Sequence, residues 1–416
     1  MIPQSSPRPD LPRVVLVGAF DTKPEPMAML HRELVGRGCA VHRVDFGLAD
    51  GPREAETSAE EVARLAGTTV AGARAQGRAA GLDVMADGVR RRLLGLHAAG
   101  EVDAVLWAGG SGAGTVFGLT APVLPFGVPK VLVSTIAAGD TRGYLQGTDA
   151  LFFYPVVDVE GDNAVLRSVL RRAAVATAAL AADHATTGVG EVTGHRRLSV
   201  GATMFGITTA GTTVARRLLE QQGAEVTVFH ANGTGGASLE RLVAEGRFDA
   251  VLDLTTTELA DHVAGGTLSA GAGRLTAAAT AGVPQVVVPG ALDTVNFGGP
   301  GTVPERFAGR LLHRHNANVT LMRSDVDDNA ALGALVAGRL NAAPDTSTVV
   351  LPMGGFSQLD APGQPFWSPE ADAAFRSALV EHLDPGVRRV ESELHVNDEG
   401  FAALLVEELL MLVGAR

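Results

Sequence analysis

Short apolar runs alternate with longer stretches of helical period along this chain of 416 residues. An apolar run at 14–17 precedes an amphipathic stretch at 27–36 and a second apolar run at 40–44. This order is typical of β-α-β units, in which the strands pair in parallel. Further strands are predicted at 103–107 and 130–134, and helices at 59–77, 83–99 and 162–182. We therefore predict an α/β fold with mainly parallel sheets.

A polar, glycine-containing stretch at 183–197 separates two series of these units. The second series has predicted strands at 198–202, 224–229, 250–254, 285–288 and 348–351, and helices at 212–222 and 399–412. Weak self-similarity links the halves, because VDAVLWAGG at 102–110 resembles FDAVLDLTT at 248–256 and GVPKVLV at 127–133 resembles GVPQVVV at 282–288. We predict two Rossmann-like lobes, residues 1–185 and 196–416, with a ligand cleft between them.

Composition excludes several classes of function. Hydrophobic residues make up 46% of the chain and charged residues 19%, which is typical of a soluble globular protein. No apolar run reaches the roughly 18 residues of a membrane span, and the first ten residues lack a secretory apolar region, so we expect a cytoplasmic protein. The net charge of -12 argues against nucleic-acid or anionic-membrane partners. The single cysteine excludes an intrachain disulfide and a multi-cysteine metal site.

The loop after the first predicted strand carries three polar side chains. In an open parallel sheet ligands bind beyond the carboxyl ends of the strands, which is where Asp21, Thr22 and Lys23 fall. A carboxylate such as that of Asp21 suits hydrated Mg²⁺, and the Lys23 ammonium suits a phosphate group. Only two of the 34 basic residues are lysines, which makes this position more informative. The alternative is a simple turn capped by Asp21.

A glycine-rich loop follows the strand at 103–107. Glycines leave backbone N–H groups unobstructed, so several of them could converge on an anion. The loop is neither a Walker A motif nor a dinucleotide-binding fingerprint, and a tight turn that supports strand packing is the alternative. The predicted phosphate contacts are Gly109, Gly110, Ser111, Gly112, Gly114 and Thr115.

The second half contains two further loops that run directly into helices. The positive end of a helix is a natural anion site, so both are predicted to bind a phosphate or carboxylate. Their candidate residues are Gly206, Thr208 and Thr209, and Asn232, Gly233, Thr234, Gly235 and Gly236. Glu258 is predicted to act as a general base, and His230 as an acid or base. The alternatives are a first-turn acid in a capped helix for Glu258 and a structural role for His230.

These motifs together resemble one family. GAFDTK, GGSGAGT, MFGITTAGT, FHANGTGGASLE and LDLTTTELADHVAGG occur here in an order similar to that of the uncharacterised family containing the ATP-binding inhibitory domain of the tomato mosaic virus resistance protein. The resemblance implies two Rossmann-like domains, an ATP site with magnesium, and a homodimer. Two departures fall in the candidate site, because Pro24 follows Lys23 where the family more typically has glycine, and Ala113 is inserted before Gly114.

Three functions remain open from the sequence. The leading one is a Mg-ATP-dependent enzyme acting on a small carboxylate or sugar-acid-like metabolite, with Asp21 on the metal, Lys23 on a phosphoryl group, and Glu258 or His230 handling a proton. The second is a lyase or hydrolase of an anionic metabolite that uses no nucleotide. The third is a non-catalytic module that senses ATP or inhibits a partner protein.

Overall fold

Parallel sheets organise the computed structural model, which describes residues 11–50, 53–188 and 197–415. The chain divides into unit 1, Met1–Val192, and unit 2, Thr193–Arg416. Most of the predicted linker at 183–197 lies outside the described residues, and its first part, to Thr187, continues a helix.

Unit 1 contains one five-stranded sheet in which every pair of neighbouring strands is parallel. Its spatial order is β2-β1-β3-β4-β5. The strands are β1 Arg13–Gly18, β2 Ala40–Asp45, β3 Ala104–Gly109, β4 Lys130–Ser134 and β5 Ala150–Phe153. The helices are α1 Pro24–Val35, α2 Ala59–Leu65, α3 Val70–Ala75, α4 Arg78–Ala98, α5 Ser111–Thr120, α6 Arg142–Leu145 and α7 Ala164–Thr187.

Alternating side chains of β1 enter two different cores. Val14 and Leu16 pack in the core that contains α1 and α7, whereas Val15 and Val17 pack in the core that contains α4 and α5. A strand covered on both faces is apolar along its whole length, which explains the continuous run RVVLVG. The polar groups that follow β1 and β3 therefore lie at the carboxyl edge of a fully buried sheet.

Unit 2 has a six-stranded parallel sheet in the order β14-β13-β9-β8-β6-β7, and a three-stranded antiparallel sheet in the order β10-β12-β11. The strands are β6 Ser199–Met204, β7 Glu225–His230, β8 Ala250–Thr255, β9 Gln285–Gly290, β10 Thr294–Phe297, β11 Leu312–Arg314, β12 Thr320–Arg323, β13 Ser347–Pro352 and β14 Arg388–Ser392. The helices are α8 Thr209–Gln221, α9 Thr234–Ala244, α10 Thr257–Ala264, α11 Ala277–Ala281, α12 Val326–Leu340, α13 Pro369–His382 and α14 Glu399–Gly414.

The structure confirms the predicted α/β fold with two mainly parallel sheets. The single helix predicted at 59–77 is wrong, because α2 and α3 are separated by a turn in which Gly67 has a φ of +81°. β5, β14 and the antiparallel sheet were not predicted. Within the described ranges, the helices are too short or too polar to cross a membrane.

Candidate functional site

A cavity of about 480 Å³ opens in unit 1 at the carboxyl ends of β1 and β3. This volume falls in the range typical of small-molecule sites. The cavity, which we call the unit 1 cavity, brings together seven predicted site residues from two separate loops. These residues are Asp21, Thr22, Lys23, Gly109, Gly110, Ser111 and Gly112, and its other charged lining residues are Arg78 and Asp158.

The amino terminus of α5 forms one wall of the unit 1 cavity. Gly109 has a φ of +149°, and Gly110 is the N-cap of the helix without a side-chain cap. The N–H groups of Ser111 and Gly112 have no hydrogen-bond acceptor among the described residues. The hydroxyl of Ser134 donates to the Gly110 carbonyl and fixes this turn. Two unobstructed amides at the positive end of a ten-residue helix are well suited to an anion.

Gly114 and Thr115 were predicted to belong to the phosphate loop, but the structure places them within α5. The loop is shorter than predicted, since α5 already begins at Ser111. Gly114 is buried, and a Cβ there would lie 2.7 Å from the side chain of Ile136. The Thr115 hydroxyl donates to the Ser111 carbonyl one turn earlier. Neither residue lines the unit 1 cavity. Gly114 instead allows close packing of α5, and Thr115 makes a hydrogen bond within the helix.

Asp21 holds the neighbouring loop in place. Its Oδ2 accepts from Ala49 N at 2.8 Å and its Oδ1 from Thr22 N at 2.7 Å. Each carboxylate oxygen keeps a lone pair beyond these bonds, so Asp21 has the donor type that Mg²⁺ prefers. No cluster of three or more metal-ligating side chains occurs in the part of the chain that the structure describes. A magnesium ion here would depend on ligand phosphates for most of its coordination, as is usual for Mg²⁺.

Lys23 is already engaged by carboxylates. Its Nζ donates to Glu160 Oε2 and lies 4.0 Å from Asp158 Oδ2. A phosphate would have to exchange with Glu160 to contact this ammonium. Arg78, by contrast, is exposed and makes no ion pair with any described residue. The cavity therefore contains one neutralised cation and one available cation.

Asp45 does not line the unit 1 cavity but positions two loops that do, and the sequence analysis missed it. It ends β2, is 1% exposed, and its Oδ1 accepts from Phe20 N and Gly47 N. Its Oδ2 pairs with Arg53 at 2.9 Å. These bonds tie the loops after β1 and β2 together at the cavity. An aspartate at the carboxyl end of a predicted strand was the available signal.

In unit 2, the predicted anion site at the start of α9 already holds an anion from the same chain. Glu258 Oε1 accepts from Gly233 N at 2.6 Å and from Gly236 N at 3.0 Å, while Oε2 accepts from Arg274 Nε at 2.6 Å. Glu258 is 0% exposed. The structure does not favour the prediction of Glu258 as a general base, because its carboxylate is buried and both of its oxygens accept hydrogen bonds within unit 2. Gly233 and Gly236 cannot serve an external phosphate for the same reason.

The remaining residues of this loop form a local cap. Asn232 Oδ1 accepts from the Thr234 hydroxyl and from Gly235 N, so these groups are used within the turn. A Cβ on Gly235 would lie 1.8 Å from the carbonyl oxygen of His230. His230 itself is exposed and stacks on Phe205 with ring centroids 5.4 Å apart. The two side chains predicted as alternatives for handling a proton lie in different environments, because His230 is exposed and Glu258 is fully buried.

Most polar groups of the loop before α8 are also hydrogen-bonded within unit 2. Thr208 is buried and shares a hydrogen bond of 2.8 Å with the hydroxyl of Thr255, so it is wrongly placed for a phosphate contact. The Thr209 hydroxyl donates to the Phe205 carbonyl, and Gly211 N donates to Asn397 Oδ1. Gly206 and Thr209 line a separate cavity of about 520 Å³ within unit 2, together with Gln358, Gln364, His395 and Asn397.

The Gly236→Ala substitution tests whether the Glu258 carboxylate occupies the nest, by which we mean the anion site formed by the Gly233 and Gly236 amides at the start of α9. A Cβ would lie 1.9 Å from Glu258 Oε2, and the carboxylate cannot move without leaving Arg274. We expect a loss of about 2–3 kcal/mol in the free energy of unfolding, measured by urea titration. Gly338→Ala on the exposed side of α12 has open space and should stabilise by up to about 1 kcal/mol. Equal changes in the free energy of unfolding for the two substitutions would contradict the conclusion that Glu258 fills the nest.

Family models match both units. The N-terminal domain of the uncharacterised protein family UPF0261 matches residues 12–186, and the C-terminal domain of the same family matches residues 197–413. The chain belongs to the UPF0261 family. A UPF0261 protein of Clostridium tetani is 37% identical over 404 residues, which cover 96% of this chain and 99% of the relative.

A plant relative is longer than this UPF0261 chain. The tomato mosaic virus resistance protein Tm-1 of Solanum lycopersicum is 39% identical over 308 residues, which cover 74% of this chain but only 41% of the plant protein. Among solved structures, the glycosyltransferase SnogD of Streptomyces nogalater covers 97% of this chain at 14% identity with a TM-score of 0.20. A UDP-N-acetylglucosamine 2-epimerase of Rickettsia bellii gives a TM-score of 0.22 at 10% identity over 98% of this chain.

Proposed function

We propose that this UPF0261 protein binds ATP together with Mg²⁺ in the unit 1 cavity. The observation that carries the proposal is the free amino terminus of α5, whose Ser111 and Gly112 amides face the same cavity as Lys23 and Arg78. Preorganised amides and cations of this kind are the usual means of binding phosphate groups. The choice of ATP comes from the family resemblance of the GAFDTK and GGSGAGT motifs.

Each residue has a proposed role in binding. The α5 amides donate to phosphate oxygens, and Arg78 supplies a cation that has no competing ion pair in the described chain. Lys23 contacts a second phosphate once it leaves Glu160. Asp21 holds the magnesium ion, which neutralises phosphate charge when it is bound. Asp45 keeps the loops after β1 and β2 in position.

We further propose that bound ATP is used in a reaction on a small carboxylate or sugar-acid-like metabolite. The support is that the unit 1 cavity is also lined by Thr22 and Thr135, two residues whose hydroxyl groups have no role in the proposed phosphate binding and can donate to a second, anionic ligand. The proposal gives Glu258 no role, because its carboxylate is buried and already accepts from Arg274. Release of ADP or AMP in the presence of candidate carboxylates measures turnover separately from binding.

A thermal-shift titration with ATP, ADP and AMP, each with and without Mg²⁺, tests the binding proposal. A ligand at about 100 times its Kd stabilises a protein by about 2.7 kcal/mol if it binds only the folded state. We expect a magnesium-dependent shift with ATP that is strongly reduced in Lys23→Ala and Gly112→Val. In the latter, the added methyl groups obstruct the α5 amides, while the Cβ itself lies 3.5 Å from Leu82 in ordinary contact.

Gly95→Val is the matched control for Gly112→Val. Gly95 is an exposed residue of α4 with open space around its Cβ, and it is not part of the cavity lining. The control makes the same glycine-to-valine change in a helix, where valine has a slightly better helix propensity than glycine, and should keep the full ATP shift. No shift with any nucleotide at millimolar concentration would refute the proposal.

A further inference from the structure

The segment that follows β5 places two carboxylates beside the proposed phosphate site. Glu160 Oε2 accepts from Lys23 Nζ, and Asp158 lines the unit 1 cavity 4.0 Å from the same ammonium. The two acidic side chains are 62% and 67% exposed, so neither is held by burial. We call residues 158–160 the acidic segment.

The backbone that leads into the acidic segment is strained. Val156 has a φ of +70° and is 58% exposed. A β-branched residue in this region is unfavourable, and such conformations persist where the surrounding structure imposes them. Val156 lies two residues before Asp158, which lines the unit 1 cavity. The strained residue therefore lies just before the acidic segment, which carries two carboxylates beside the proposed phosphate site.

Negative charge at this position is unexpected if the cavity takes a bare polyphosphate. Free ATP carries a charge of about -4 near neutral pH, and its magnesium complex carries about -2. The Coulomb repulsion from a fixed carboxylate scales with the ligand charge, so the acidic segment opposes the free polyphosphate about twice as strongly as the magnesium complex. The Lys23 ammonium offsets one of the two carboxylates, so the acidic segment and Lys23 together leave a net negative charge beside the cavity.

We propose that Glu160 and Asp158 are specificity-determining residues that make the unit 1 cavity select the magnesium complex of a nucleoside polyphosphate over the free polyphosphate. This inference rests on the proposed function and names the form of ligand that the site takes. The acidic segment repels uncomplexed phosphate and leaves room for the extra positive charge of the metal. Glu160 must also leave Lys23 when the ligand binds.

Isothermal titration of Glu160→Gln with ATP tests the inference, once in EDTA and once in excess Mg²⁺, at low ionic strength. We expect the Kd for free ATP to fall about three- to tenfold and the Kd for the magnesium complex to fall by about the square root of that factor, roughly two- to threefold. Glu25→Gln is the matched control, since it removes the same charge two residues from Lys23 without breaking an ion pair to Lys23. Its two Kd values should stay within about twofold of the parent.

Lysine labelling provides a second readout that needs no nucleotide. The chain contains two lysines, and Lys130 is an internal reference because its side chain is 0% exposed and its Nζ donates to the carbonyls of Pro125 and Val128. We expect acetylation of Lys23 by an N-hydroxysuccinimide ester, followed by peptide mass spectrometry, to proceed at least about twofold faster in Glu160→Gln than in the parent.

The outcomes separate this inference from the proposed function. Equal tightening for free and magnesium-bound ATP, or an unchanged Lys23 labelling rate, would overturn the role of the acidic segment while ATP binding stands. Binding of ATP to neither the parent nor Glu160→Gln would overturn the proposed function, and the inference with it.

Discussion

We expect the Arg274→Met substitution to lower the free energy of unfolding of unit 2 by about 3–5 kcal/mol. The guanidinium of Arg274 is 0% exposed and donates to Asp253 Oδ1 at 2.7 Å and to Glu258 Oε2 at 2.6 Å. Glu240 lies 3.3 Å from the same group. Burial opposes the charge, yet these three carboxylates outweigh it and raise the pKa of Arg274 above its usual value. Methionine fills a similar volume but leaves the carboxylates without their shared cation.

Urea titration monitored by unit 2 fluorescence measures the effect. The double variant Arg274→Met/Asp253→Asn should recover about 1–2 kcal/mol, because it removes one of the uncompensated charges. Arg217→Met is the control, since Arg217 is 58% exposed and lies 3.8 Å from Glu399, and it should change stability by less than about 0.5 kcal/mol. A loss for Arg274→Met that matches this control would show that the buried ion cluster contributes nothing.

Three strands of unit 1 were predictable because strands that are buried on both faces consist almost entirely of apolar residues. β1, β3 and β4 are covered on both faces, and the sequence of each is a nearly continuous apolar run. β11 has no such apolar run, since its three residues, LHR, are half-buried or exposed. The antiparallel sheet therefore depends on pairing with β12, and a short strand without an apolar run cannot be distinguished from a loop.

The candidate site was predictable only as far as strand ends determine it. Asp21 and Gly110 meet because parallel strands end at one edge of the sheet, a rule that needs no long-range information. Glu160 is 137 residues from Lys23, and nothing local indicates that pair. The nest at Gly233 and Gly236 was recognised as an anion site, but its occupant comes from 22 to 25 residues further along the chain. Sequence patterns identify the backbone that binds an anion and not which anion fills it.

From about pH 7 to about pH 9 we expect unit 2 to lose roughly 1–2 kcal/mol of unfolding free energy. The main cause is a buried carboxyl cluster formed by Asp293, Asp360 and Asp372 around Arg323, and a smaller part comes from Asp261, whose pKa is raised to about 7 by burial. The Ser357 hydroxyl donates to Asp293 Oδ2 at 2.7 Å, and Arg323 donates to Asp372 Oδ1 at 2.6 Å while lying 3.6 Å from Asp360 Oδ1. One guanidinium therefore faces three carboxyl groups.

The pKa values of the cluster determine the sign of the pH dependence. Burial, with Asp360 adding to it, raises the pKa of Asp293 to about 8 and the pKa of Asp372 to about 7. Burial also raises the pKa of Asp360. An unfolded aspartate has a pKa of about 3.9, so at neutral pH the folded state binds more protons than the unfolded state. Stability therefore falls as the pH rises towards about 8 and levels off above it.

The pH window excludes the histidines with shifted pKa values. Burial lowers the pKa values of His31, His42 and His97 in unit 1, and such groups are neutral in both states above about pH 7. Fluorescence resolves the two units, because each contains one of the two tryptophans, Trp107 and Trp367. In a Trp107→Phe background, Trp367 reports urea unfolding of unit 2 alone.

Asp293→Asn should flatten the pH dependence of unit 2. Burial raises the pKa of Asp293 further than that of Asp372, so the ionisation of Asp293 accounts for more than half of the expected loss between about pH 7 and about pH 9. Asp327→Asn removes an exposed acid from the first turn of α12 and should leave the slope unchanged. If both variants kept the parent slope, the cluster would have to be ionised throughout, which requires far more compensation than the single Arg323 guanidinium provides.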